Sequence, residues 1–309
     1  MKKFFIFIFM LIFQINYCYS SEIKDNKITD NSGYQIEKKE YKKIIITDPA
    51  IVEIIYALGG EDSIAAIANA TMSQIHPHEK TSKLPSIGTL RQPSLEKIVE
   101  LKPDLVITFA GTSSIAPELV KFNIPVLTTA AGNIDQIYKN IEICGYLVGK
   151  EKEAQELITQ CKARVQKHKD QNKDKKPLKG IVLFSLSPMM TFSDDTLPGE
   201  ILQILGVENL GMKSPDKSSN PTMGVSTPIL SNEFIIMEDP DFIAATHGIT
   251  DIEDMKKALT PIADIRAIQK NNLFFLDPQK MVRGSHRIFD SIDEIAEKLS
   301  KLNLEDAKE

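Results

Sequence analysis

Short apolar segments alternate with amphipathic segments along the chain from Lys43 onward. The apolar segments are rich in Ile and Val and are bounded by turn residues, which is typical of buried strands. The segments between them carry apolar residues at helical spacing, and they begin or end at Pro, Ser or Gly. In the first half of the chain the predicted strands are "KIIIT", "SIAAIA", "DLVITFA" and "IPVLTTA", and the predicted helices are "PAIVEIIYALGG", "SLEKIVELKP" and "APELVKFN".

A helical tract at residues 136–176 interrupts this alternation, which then resumes with "LKGIVLFSLS", "DFIAAT" and "NNLFFLD" as further strands. Alternating strands and helices predict parallel sheets that are covered on both faces. We therefore expect an α/β fold of two Rossmann-like lobes, residues 41–135 and 177–309, joined by a long helical spine. Ligands of such sheets bind beyond the carboxyl ends of the strands, which predicts a ligand cleft between the lobes.

The first twenty residues form a different pattern, with two lysines, an apolar run and a short polar stretch. The apolar run is about half as long as a helix that spans a bilayer, and it fits a secretory signal peptide cleaved before Ser21. The alternative is a lipid anchor on Cys18, although the bulky Tyr17 before it departs from the usual pattern. Residues 21–40 are polar and lack periodicity, so we expect a flexible leader there.

Composition narrows the class of protein. The chain has 309 residues, a formal net charge of −5 and no basic stripe, which argues against nucleic-acid binding. No metalloprotease helix, paired CxxC or nucleophile elbow is present, so we expect a binding protein rather than an enzyme. Cys144 and Cys161 would lie ~25 Å apart on one continuous helix, beyond the reach of a disulfide, and we expect two buried free thiols.

Three segments carry a resemblance to a known family: "KIIITDPAIVEIIYALGGEDSIAAI", "IGTLRQPSLEKIVELKPDLVI" and "ADIRAIQKNNLFFLD". From Lys43 onward the chain resembles the solute-binding proteins that feed ABC importers of ferric siderophores, heme and cobalamin. The resemblance implies a bilobal, monomeric binding protein that docks on a membrane permease with its ATPase. It also implies modest lobe closure, because a helical spine limits hinge motion.

Two details are similar to the heme-binding members. "PDFIAATHGITD" is similar to the segment that holds the axial histidine in a staphylococcal iron-regulated surface lipoprotein. Gly88-Thr89-Leu90-Arg91-Gln92 matches the hemin-binding phrase Gly-Tyr-x-Arg-Gln at the arginine and the glutamine. Thr89 stands in place of the tyrosine, so the phenolate iron ligand is missing, and Arg91 stands where the staphylococcal relative has a methionine ligand.

His247 is the predicted heme iron ligand, because imidazole is a common axial ligand and this residue follows a strand whose end should face the cleft. Gly248 allows the backbone to turn sharply behind it. The alternative is a solvated loop histidine. A second ligand could come from Met72, His76 or His78, or the "HPH" sequence could be an exposed turn around Pro77.

Other side chains are predicted to surround the macrocycle and the docking site. Met189 and Met190, with Thr89, would form the heme pocket, although the two methionines could instead fill the core. Arg91 is the best candidate for binding the propionates, and Arg283 and Arg287 are weaker ones, because arginines at the start of the last helix could merely cover a surface. His286 shares that ambiguity.

Glu96 and Glu233 occupy related places, each in a helix ahead of a "PD" strand start. The resemblance implies that they dock on permease arginines; ordinary surface acids are the alternative. Heme is the predicted cargo. A ferric siderophore or cobalamin on the same fold is the second hypothesis, and a cell-surface sensor or adhesin that has kept the scaffold is the third.

Overall fold

Three short strands lie where the sequence predicts a flexible leader. In the computed structural model, which describes residues 21–30, 32–70, 73–110, 115–215, 219–220, 225–246 and 251–304, they form an antiparallel sheet. Asp25 and Asn26 have φ values of 48° and 61°, as a two-residue type I′ hairpin turn requires. The strands are β1 (Glu22–Lys24), β2 (Lys27–Thr29) and β3 (Gln35–Glu37).

This small sheet is anchored to the first lobe, which corrects the prediction of a flexible leader at residues 21–40. Ile28 and Ile36 are buried in the main apolar cluster. The buried carboxylate of Asp30 accepts a hydrogen bond from the backbone N–H of Thr128 at 2.5 Å. The segment is fixed by one apolar side chain in each of two strands and by one aspartate. Because so few positions are buried, the sequence shows no periodicity here. The predicted signal peptide and Cys18 lie outside the described residues.

The first lobe is built on five parallel strands in the order β6-β5-β4-β7-β8. All predicted strands and helices of this half are confirmed. Asp48 caps α1, and Gly59 ends it in the left-handed conformation. The strands are β4 (Ile44–Ile46), β5 (Ile64–Asn69), β6 (Ser86–Thr89), β7 (Leu105–Phe109) and β8 (Val126–Thr129), and the helices are α1 (Pro49–Leu58), α2 (His78–Thr81), α3 (Leu95–Leu101) and α4 (Ala116–Lys121).

Two helices form the spine, α5 (Ile134–Val148) and α6 (Glu151–Asn172). Gly149, at φ 66°, turns the chain between them. They pack closely at Gly145, where a Cβ atom would lie 2.6 Å from the Cβ of Ala154. Cys144 and Cys161 are buried and free, which confirms the prediction.

The second lobe repeats the plan around β9. Strands β11, β14 and β15 run parallel in this sheet, and β10 pairs antiparallel to β9. The strands are β9 (Leu178–Leu186), β10 (Met189–Thr191), β11 (Val207–Asn209), β12 (Ser219–Asn220), β13 (Val225–Ser226), β14 (Phe242–Ala245) and β15 (Leu273–Phe275). The helices are α7 (Leu197–Ile204), α8 (Asn232–Glu238), α9 (Ile252–Ala258), α10 (Arg266–Gln269), α11 (Pro278–Val282) and α12 (Ile288–Ser300).

One apolar cluster links the lobes through the spine. It runs from the first sheet through α5 and α6 to α7 and α12, and each lobe has a further cluster on the other face of its sheet. Tyr138 of α5 stacks on Phe289 of α12 with ring centroids 5.4 Å apart. The two-lobed α/β fold with a helical spine is thus confirmed. Within the described ranges, no helix is both long and apolar enough to cross a bilayer.

Candidate functional site between the lobes

The carboxyl edges of the two sheets face each other. A second-lobe segment after β15 touches first-lobe segments that follow β4, β5 and β8. Gln279 lines a cavity together with Ala70, and Gly284 lies so close to Ala131 that a Cβ atom there would be 2.1 Å from the alanine Cβ. This arrangement creates the cleft in which a ligand of a two-lobed α/β protein is expected.

A buried carboxylate from the first lobe forms the most extensive polar contact across the cleft. Glu53 of α1 has a side chain that is 1% exposed. It accepts a hydrogen bond from a guanidinium N–H of Arg283 and another from the hydroxyl of Ser285 at 2.7 Å. Arg287 approaches the same carboxylate at 3.4 Å, and the backbone N–H of His76 donates to it at 3.1 Å. Because a buried charge is costly without partners, these donors and Glu53 depend on one another.

Two further titratable groups lie beside this cluster. Burial raises the pKa of Asp48, which caps α1 and accepts a hydrogen bond from the Thr129 hydroxyl at 2.7 Å. Burial lowers the pKa of His286, whose shielded Nδ1 atom has no hydrogen-bond partner among the described residues. Both shifts favour the neutral form of the side chain in this poorly solvated region.

Two of the three predicted propionate-binding arginines are held in an ion-pair cluster, and the third is exposed. Arg283 and Arg287 are 10% and 15% exposed and pair with Glu53. Arg283 also donates to the Gln74 carbonyl at 2.7 Å, so its guanidinium is already engaged. Arg91 is exposed in the turn after β6, and it forms no ion pair within the described part of the chain.

The predicted iron ligands are only partly within the described residues. His247 and Met72 lie outside them. β14 ends at Ala245, and the backbone N–H of Thr246 still donates to Leu183 of β9 at 2.8 Å. The sheet therefore extends to the residue before His247.

The alternative ligands and the pocket residues are described. His76 and His78 are exposed, and His78 begins the short helix α2. Met189 and Met190 are half-buried in β10, and Met189 packs on a second-lobe core cluster. Thr89 is half-buried at the end of β6, and its hydroxyl accepts a hydrogen bond from the backbone N–H of Gln92.

A cavity of about 600 Å³ lies at one end of the cleft. Its volume is in the range of small-molecule sites. Its polar lining includes the amide side chains of Asn69 and Gln74, together with His78, from the first lobe and the amide of Gln279 from the second. Such a lining suits amide or hydroxyl groups of a ligand better than carboxylates.

Sequence reasoning missed Glu53 and Ser285. The available signal was the lone carboxylate in the otherwise apolar helix "PAIVEIIYAL", where Val52 and Ile54 are both fully buried. A charged residue flanked in this way is either paired or functional. The sequence did not show which side chains would donate to it, because Arg283, Ser285 and Arg287 lie more than two hundred positions along the chain.

The predicted docking glutamates occupy equivalent positions in the two lobes. Ser94 caps α3 and Ser231 caps α8, and Glu96 and Glu233 lie exposed in the first turns of these helices. Hydrogen bonds from its own backbone N–H and from Ser231 hold the pKa of Glu233 below its ordinary value. This glutamate is therefore ionised at neutral pH.

The equivalence continues to the ends of both helices. Each helix ends at a non-glycine residue in the left-handed conformation and is followed by Pro-Asp. Each aspartate then accepts a hydrogen bond from the backbone N–H of a lysine at or before the first strand of its lobe. The pairs are Asp104 with Lys43 and Asp241 with Lys179.

A sequence profile described as "Periplasmic binding protein" matches residues 44–280, which include the five-stranded sheet of each lobe, the spine and Glu53. The chain belongs to this family. An uncharacterized ABC transporter substrate-binding lipoprotein of Bacillus subtilis, YvrC, is 28% identical over 292 residues, covering 90% of this chain and 87% of the relative.

Solved structures of periplasmic binding proteins share the fold. The vitamin B12 binding protein BtuF of Vibrio cholerae aligns with a TM-score of 0.66 and 21% identity, covering 84% of this chain and 97% of that structure. The heme-binding protein RhuT of Roseiflexus aligns with a TM-score of 0.67 and 20% identity, with the same coverage. At these identities the likeness concerns the fold.

Proposed function

We propose that this protein captures heme outside the cytoplasm and delivers it to an ABC permease and its ATPase. The observation that carries the proposal is the position of β14. This strand is paired on both sides, reaches the cleft edge of the second sheet, and is followed two residues after its end by His247. Imidazole is a suitable axial ligand for heme iron.

Two other features support heme. Arg91 is exposed and without an ion pair within the described residues, so its guanidinium is available for a propionate. Met189 and Met190 are half-buried beside the carboxyl end of β9 and provide polarisable contacts for a flat macrocycle.

Delivery is assigned to Glu96 and Glu233. Their equivalent, exposed positions would allow one carboxylate from each lobe to contact a permease with two related basic sites. The first twenty residues would direct export, either as a cleaved signal peptide or as a lipid anchor on Cys18. The mechanism consists of binding, enclosure, docking and release, without covalent chemistry.

Cobalamin is the second candidate, and one specific observation favours it. Arg283 and Arg287 are paired with Glu53, and the neighbouring cavity is lined by neutral amide side chains such as Gln74 and Gln279. Such a cavity suits a ligand that presents amides rather than two carboxylates.

The test is a titration of residues 21–309 with hemin, and separately with cyanocobalamin, followed by absorbance. We expect a saturable Soret shift with hemin that is lost or displaced in His247→Ala. Arg91→Ala should lower the affinity for hemin about tenfold, as expected for the loss of one charge-assisted hydrogen bond. Lys97→Ala, which removes a nearby exposed cation, is the matched control.

Other outcomes separate the alternatives. Binding of cyanocobalamin without a specific hemin shift would replace heme by cobalamin. A hemin shift that is unchanged in His247→Ala would support heme as the bound molecule and would assign the iron ligand to His76 or His78 instead. No binding of either compound would direct the search to ferric siderophores.

A further inference from the structure

One carboxylate of the first lobe binds the second lobe at the edge of the cleft. Glu53 lies between two fully buried side chains of α1, so the helix delivers its charge into a region that water does not reach. Its oxygens accept from Arg283 and Ser285 of the second lobe and from the backbone of His76. Removing one partner from a buried ion pair is strongly destabilising, because the other charge is left unpaired.

Arg283 binds back to the first lobe as well as to Glu53. Its guanidinium donates to the carbonyl of Gln74 at 2.7 Å and to the hydroxyl of Ser73 at 2.5 Å. Both residues line the cavity at the end of the cleft. The cluster therefore fixes the segment that follows β5 against the segment that follows β15.

Two further contacts also hold the second lobe against the first lobe and the spine. Gly284 lies against Ala131 with no room for a side chain. Glu200 of α7, in the second lobe, accepts a hydrogen bond from the backbone N–H of Ile134 at 2.7 Å, where α5 begins. A carboxylate at a helix N-terminus is favoured by the helix dipole. Glu53 of α1 therefore contacts the second lobe, and Glu200 of α7 contacts the start of the spine.

We propose that Glu53 is a positioning residue of the ligand cleft: it joins the lobes on the spine side, shapes the cavity wall at Ser73–His76 and withholds Arg283 and Arg287 from the ligand. Its effect on ligand binding rests on the proposed function; its effect on the lobe arrangement does not. With this edge fixed, lobe movement is confined to the opposite side of the cleft.

The decisive experiment measures the distance between the lobes without a ligand. In residues 21–309, which lack Cys18, spin labels at Val120→Cys and Met237→Cys, two exposed positions on different lobes, report this distance, since Cys144 and Cys161 are buried. We expect Glu53→Gln to broaden the distance distribution and shift it to longer values. Glu142→Gln, which removes a half-buried glutamate that pairs with Lys139 within α5, should leave it unchanged. An unchanged distribution in Glu53→Gln would overturn the proposal.

A second variant guards against loss of folding. Glu53→Gln combined with Arg283→Met and Arg287→Met removes the carboxylate together with both cations that pair with it, so no unpaired cation remains in the cluster. The proposal expects a broadened distribution in this variant too, and a wild-type distribution would contradict it.

A ligand measurement separates positioning from direct binding. Glu53→Gln should raise the hemin dissociation rate roughly tenfold, since changes at a binding site act mainly on this rate. The spectrum of bound hemin should be unchanged, because Glu53 is not expected to touch the iron. A wild-type rate, or an altered spectrum, would refute the positioning role. If the wild-type protein binds no hemin, the proposed function fails, and the distance measurement still decides the inference.

Discussion

At the scale of single residues, the placement of a few charges determines what the cleft can bind. Arg283 and Arg91 were both predicted to bind propionates, yet one is held by Glu53 and the other is exposed. A buried carboxylate attracts the nearest cation whatever its sequence position, since an unpaired charge costs several kcal/mol. The same crowding leaves the Nδ1 atom of His286 unpaired among the described residues.

Protonation of His286 is expected to destabilise the fold below neutral pH. Burial lowers its pKa from the ordinary value of 6.5; the negative charges of Glu53 and Asp290 offset this in part, and the smaller effect of Arg287 adds to the lowering. The unfolded chain therefore binds this proton first. The contribution to stability is present above about pH 6.5 and is lost as pH falls toward the folded-state pKa, with a slope of up to about 1.4 kcal/mol per pH unit.

Urea unfolding of the wild type and His286→Gln from about pH 8 to about pH 5 measures this effect. The variant should lose less stability on acidification, and the difference between the two proteins isolates the histidine from the other titrating groups. His78→Gln, at an exposed position, should behave like the wild type. Equal pH slopes in the wild type and His286→Gln would contradict the prediction.

At the scale of elements, equivalent helices in the two lobes present equivalent side chains. The capping serine, the first-turn glutamate, the left-handed end and the following Pro-Asp recur in α3 and α8 at one constant offset along the chain. Local signals of this kind are short-range, which is why the sequence predicted both helices and their relation.

Docking should depend on both helices. Glu96→Ala and Glu233→Ala are each expected to weaken binding to the cognate permease–ATPase in nanodiscs by up to about fivefold, the upper range for an exposed ion pair. The effect should shrink at high salt. Ligand affinity should be unchanged, and Glu100→Ala, an exposed glutamate on α3, serves as the control. Loss of ligand affinity in the variants, or docking equal to the wild type, would argue against this role.

The turn that carries Arg91 is expected to require glycine. Gly88 has φ 107°, and a Cβ atom there would lie 2.7 Å from the Gln92 carbonyl oxygen. Gly88→Ala should lower the free energy of unfolding by about 1–3 kcal/mol, because backbone strain and a clash displace the turn. It should also lower the affinity for hemin, since the displaced turn carries Arg91.

Gly33→Ala is the matched control for this turn. Gly33 also has a positive φ, 84°, but has open space around it. Its replacement should cost only the strain of the left-handed conformation, about 1–2 kcal/mol, and should not change hemin affinity. Equal losses of stability and affinity in the two variants would show that the contact with Gln92 is unimportant.

At the scale of the whole molecule, the spine and the cross-lobe contacts act together. α1 and α12 both pack against α6, and the Glu53 cluster joins the lobes where these elements meet. We therefore expect the radius of gyration from small-angle scattering to change by less than about 1 Å on saturation with hemin, as in other preorganised binding proteins. Glu53→Gln should show a larger change. A large contraction of the wild-type protein on binding would refute the fixed edge.

The sequence by itself determined the alternation of strands and helices, the two lobes, the helical spine and the buried thiols, because these depend on periodicity and caps that act over a few residues. It did not reveal the anchored sheet at residues 22–37, whose signal is the Asp25-Asn26 turn and two isolated isoleucines. Only the tertiary structure placed Glu53 beside Arg283 and Ser285. That contact joins residues far apart in the chain, and the burial that makes the pairing obligatory exists only after both lobes have packed on the spine.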